Sequence, residues 1–83
     1  MEFKYRETVL NELARHGIIP RLDTPPELAQ KFVTDLHLFE VRRIKKQMLA
    51  GKIRKADYAK TVEALRRRYP ILSLPVRSWT EGE

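Results

Sequence analysis

His37 and Glu40 stand one helical turn apart, the spacing at which a histidine and a carboxylate can share a metal ion or a proton. Glu12, Asp35 and His16 are the plausible additions to such a site. The order His-x-x-Glu reverses the Glu-x-x-His of di-iron bundles, and two ligands do not close a coordination sphere. The less demanding reading puts His37 at the edge of an apolar face, where its protonation weakens packing at low pH. Ser73 and Ser78 have no histidine placed by sequence to activate them. Gly17, Gly51 and Gly82 suit two helix ends and a terminus, so no glycine-rich phosphate loop occurs. The 83 residues include no cysteine, which excludes disulfides, thiolate zinc sites and thiol catalysis. The expectation is a protein that is not an enzyme, holds no metal or cofactor and takes no small-molecule substrate.

Charge is segregated along the chain. Residues 42–68 hold 11 of the 17 Lys and Arg against two acids, Asp57 and Glu63. The three stretches 1–41, 42–68 and 69–83 carry −2, +9 and −1, for a net charge of +6. Part of this excess serves helix ends: Lys45 and Lys46 near the end of one helix and Arg66, Arg67 and Arg68 at the end of the next complement the dipole. Nine excess charges are more than capping needs, and they attract phosphate or acidic surfaces. The candidate contacts to a nucleic acid or an acidic partner are Arg42, Arg43, Lys45 and Lys46, then Lys52, Arg54 and Lys55, then Arg66, Arg67 and Arg68. Tyr58 and Tyr69 fit a helical core stripe rather than a base-stacking platform. Any nucleic-acid binding would therefore be to backbone and steeply salt-dependent.

The elements that position these residues read as helices. A first helix runs from about Lys4 to His16, with Gly17 in the left-handed position that ends it and Ile18 as the following apolar contact. Thr24-Pro25-Pro26-Glu27 reads as a capping box, with Thr24 at the N-cap and Pro25 at the first helical position. No Gly or Pro interrupts the chain from there to Gly51, which predicts a central helix over about 25–50. Such a helix is about 39 Å long and exceeds the roughly 30 Å width of a compact domain this size, so it protrudes or breaks near 35–40. Leu28, Phe32, Leu36 and Phe39 share one side, expected to pack on the first helix. Val33, Val41, Ile44 and Met48 share nearly the opposite side, expected to pack on a third helix over about 55–68. Leu38 and Leu49 fit neither side.

Pro70 and Pro75 stop a helix, yet Ile71, Leu72, Leu74, Val76 and Trp79 need cover. The fold expected is all-α: three helices, the middle one long, with an extended, docked C-terminal tail, one domain over 1–79 and a frayed end at 80–83. A thin core of this size leans on good packing or on a partner subunit. The leading expectation is a small basic interaction module, self-associating as a homodimer or adapting to a protein partner through Leu38, Leu49, Leu74 and Trp79. The alternative is an accessory RNA- or DNA-backbone binder. No apolar run nears the roughly 18 residues of a membrane span, and the N-terminus has no apolar signal region, so a cytoplasmic setting is expected and no membrane partner.

Overall fold

The computed structural model describes residues 2–81. Helix α1 spans Glu7–Arg15, α2 Pro26–Leu49 and α3 Lys55–Arg66, followed by two 3-10 helices at Pro70–Ser73 and Val76–Ser78. The chain is thus an all-α three-helix domain with a long central helix. Among the described residues, no helix is long and apolar enough to cross a membrane.

The central helix does not break. Its 24 residues make a rod of about 36 Å, and the molecule measures 48 × 16 × 16 Å. The radius of gyration is 15.2 Å, against about 12 Å for a compact chain of this length. The far half of α2 and α3 therefore form a two-helix arm projecting from a body made of α1, the near half of α2 and the C-terminal segment.

The expected capping box is absent. Pro25, not Thr24, is the N-cap, at φ −61 and ψ 140, and α2 starts at Pro26. The reason is the second proline: a residue that precedes Pro is driven out of the α region, so Pro25 cannot be helical. The Thr24 hydroxyl instead accepts from the Arg21 amide at 2.9 Å and closes the connector. The glycine ends form as expected. Gly17 and Gly51 sit at φ +76 and +78. The Ile18 amide donates to the Leu13 carbonyl at 2.9 Å, and the Lys52 amide to the Gln47 carbonyl at 2.8 Å, the six-to-one bond of a Schellman motif.

The core corrects the expected faces of α2. Its buried residues are Pro26, Ala29 and Val33, with Leu36, Val41 and Ile44 packed beside them. Leu28, Phe32 and Phe39 point outward and are 42%, 49% and 63% exposed. The C-terminal segment covers the near half of α2, where α1 was expected. Both 3-10 helices lie against α2, and α1 lies on the first of them. The small Ala29 and Val33 leave room in one cluster for Tyr69, Ile71 and Trp79 beside Val9 and Leu13. Trp79 has no exposed surface, and its indole N–H donates to the Leu74 carbonyl.

The tail is docked but not extended. Proline's fixed φ suits the first position of a short helix, which is where Pro70 stands, while Pro75 caps the second. Helix α3 stops at Arg66, short of the expected Arg68, because Tyr69 precedes Pro70 and is held out of the α region. Helix α1 starts at Glu7 rather than Lys4, because residues 4–6 pair with the chain end. The Arg6 amide donates to the Trp79 carbonyl at 2.9 Å, and the Glu81 amide to the Lys4 carbonyl at 2.8 Å. An antiparallel bridge joins Tyr5 to Thr80. Thr80 and Glu81 are therefore held rather than frayed; Gly82 and Glu83 lie outside the described residues.

Trp79→Ala is expected to cost about 3–5 kcal/mol by emptying this core, whereas Leu74→Ala, at a half-exposed position, costs under about 1 kcal/mol. Urea unfolding followed by circular dichroism reads both, and equal losses would contradict the placement of the indole.

Candidate functional site

The three helices meet at Tyr69. It follows α3, and its hydroxyl donates to the Glu40 carboxylate on α2. His16, which caps the C-terminus of α1, stacks on the phenol ring with centroids 4.1 Å apart and planes 8° from parallel. His37, one turn before Glu40 on α2, meets the ring edge-on at 5.0 Å and 72°. The pair suspected as metal ligands thus serves Tyr69: Glu40 takes its proton donor and His37 its edge. Among the described residues, no three His, Cys, Asp or Glu side chains gather closely enough to hold a metal ion.

A cleft of about 410 Å³ opens beside this stack, lined by Arg15, His16, Leu36, Glu40, Arg68 and Tyr69. Burial and the bond to Glu40 push the Tyr69 phenol well above its ordinary range, so it remains a proton donor. Burial, and then the charge of Arg66, lower the His37 pKa, with Glu40 pulling weakly the other way. The Nε2 atoms of His16 and His37 and one carboxylate oxygen of Glu12 are buried without a hydrogen-bond partner. The other Glu12 oxygen pairs with Arg15 at 2.8 Å. Ser73 is exposed in the first 3-10 helix, and Ser78 offers its carbonyl to the Arg6 side chain at 2.8 Å.

The cationic residues decorate the arm. All eleven Lys and Arg between 42 and 68 are exposed. Arg54 pairs with Asp57 at 3.1 Å and Arg67 with Glu63 at 3.0 Å. Among the described residues the other nine make no ion pair. Arg43 and Arg68 face one shallow groove between α2 and α3, floored by Ile44 and Leu65, and Arg68 also reaches the Tyr69 cleft. Sequence reasoning missed Arg15 at that cleft; its place in the last turn of α1, next to His16, was the available signal.

The apolar candidates separate. Leu38, Leu49 and Leu74 are 42%, 73% and 44% exposed, while Trp79 is in the core and leaves the surface set. Phe32 and Phe39 join it instead, on the outer face of α2. No family model, curated protein or solved structure matches this chain.

A histidine whose folded pKa is lowered binds its proton more readily when unfolded. Its stabilising effect is therefore complete above the unfolded value of about 6.5 and is lost as the pH falls below it. Unfolding free energy is expected to decline from about pH 7 to pH 5, and His37→Leu to flatten that slope. A slope unchanged in the variant would remove His37 as its source.

Proposed function

We propose that this protein is a non-enzymatic interaction module, self-associating or bound to another protein, that works through the outer face of α2. One observation carries the reading. With Trp79 and the C-terminal segment spent on the core, α2 still presents Leu28, Phe32, Leu38, Phe39 and Leu49 to solvent. Apolar patches of that kind on a small monomer mark contact surfaces. The arm adds to it: two helices alone leave Ile44, Met48, Tyr58 and Val62 only half-buried, and oligomerisation is a common support for so thin a core. The cysteine-free composition suits a reducing, cytoplasmic setting.

Light scattering across a concentration series tests self-association. The average mass is expected to rise above that of the monomer, and Phe39→Glu to hold it at the monomer value with helicity unchanged. A fixed monomer mass up to about millimolar concentration, far above the micromolar range of ordinary weak complexes, would count against self-association.

The nine cations of the arm that make no ion pair among the described residues favour a second reading, binding to a nucleic-acid backbone through Arg42, Arg43, Lys45, Lys46, Arg66 and Arg68. It predicts a mobility shift with RNA or DNA that weakens steeply with salt. No shift at about 50 mM salt, where phosphate contacts are strong, would discard it.

A further inference from the structure

We infer that the occupant of the outer face of α2 is a second copy of the chain, laid antiparallel, with the two-fold axis between Leu38 and Phe39. This rests on the reading of that face as an interaction surface and goes further in naming the partner and the register. Leu28, Asp35, Arg42 and Leu49 recur every seven residues, the seam spacing of a coiled coil. Leu38 and Phe39 fall between them on the same side. All six lie within about 100° around the helix, and the drift of about 20° per heptad is what a left-handed supercoil takes up. All six are exposed.

Self-complementarity sets the register. In a two-fold pair each residue meets a partner and the partner meets it in return. With the axis between 38 and 39, Leu28 meets Leu49 of the second copy, Asp35 meets Arg42 and Leu38 meets Phe39. A shift of one heptad in either direction sets Asp35 on Asp35 or Arg42 on Arg42, and leaves a leucine against a charge. A parallel pair sets both like charges together. Of these arrangements only the first sets leucine on leucine at 28 and 49 and unlike charges together at 35 and 42. Lys31 and Lys46 lie in the same sector and fall opposite each other, a like-charge contact that solvent screens in part, and Lys31 already holds Asp35 of its own helix at 2.9 Å.

The wider charge distribution agrees. Antiparallel pairing sends the two +9 arms to opposite ends and brings each near the −2 body of the other copy, whereas parallel pairing stacks arm on arm.

The cysteine-free chain makes the test direct. Lys31→Cys and Lys46→Cys, mixed, are expected to oxidise to a disulfide-linked heterodimer far faster than either alone. In each homodimer the two thiols are about 22 Å apart along the axis. Separately, Asp35→Arg and Arg42→Asp are each expected to weaken association about tenfold or more, and their equimolar mixture to restore it. Both sites are exposed, so helicity reports that the fold survives. Faster oxidation of Lys31→Cys alone, or charge reversals that change nothing while the wild-type chain still associates, would overturn the antiparallel pair and leave the interaction reading standing. A chain monomeric at every concentration would overturn self-pairing altogether and assign the face to a partner of another sequence.

Discussion

The wedge from Tyr69 to Trp79 is the constraint on which the rest of the fold depends. Helices α1 and α2 touch each other little; each packs on this segment. Its three large side chains, Tyr69, Ile71 and Trp79, are almost wholly buried and make up a third of the buried apolar set. Because the wedge is built of 3-10 turns around two prolines, it is narrow and stiff. It presents rings and a branched chain to both neighbours without a helix's width. The small Ala29 and Val33 on the facing side of α2 follow from that demand.

A wedge on one side leaves the other side of α2 open. The inner face holds the body together near its start and α3 near its end, and the outer face stays exposed. Tyr69 stands where the two inner partners change over. Stacked on His16, edged by His37 and bonded to Glu40, it ties α1, α2 and the end of α3 at one point. The polar groups that looked most like chemistry are thereby engaged in architecture. The apolar stripe on the outer side of α2 and most cations of the arm remain exposed.

Much of the architecture was legible along the chain, because its signals are local. Gly17 and Gly51 end helices by a backbone geometry that other residues adopt at a cost, and the uninterrupted run before Gly51 implied one long rod. The docked tail followed from its apolar content. What could not be read depended on size and on distant partners. Leu28, Phe32 and Phe39 outweigh Ala29 and Val33 in any count of apolar bulk, yet the tail's own rings needed the smaller side chains. The N-terminal cap was misplaced because the effect of Pro26 on Pro25 outweighs the side-chain preference of Thr24. The Tyr69 cluster joins residues 29 and 53 positions apart in the chain, a relation no periodicity encodes. The exposure of Leu38 and Leu49, by contrast, was visible as a misfit to both faces.

The bridge between Tyr5 and Thr80 has a consequence for how this protein comes to be. Residues as far as Thr80 must exist before Tyr5 can pair, and the wedge that seats α1 is made after all three helices. A growing polypeptide at the ribosome can form the α2–α3 hairpin, whose contacts are near neighbours in sequence. It must carry α1 unseated until Trp79 emerges, since closing so long a loop is costly before its contacts repay it. Birth order therefore runs from the arm toward the body, opposite to the direction in which the finished molecule is most firmly packed.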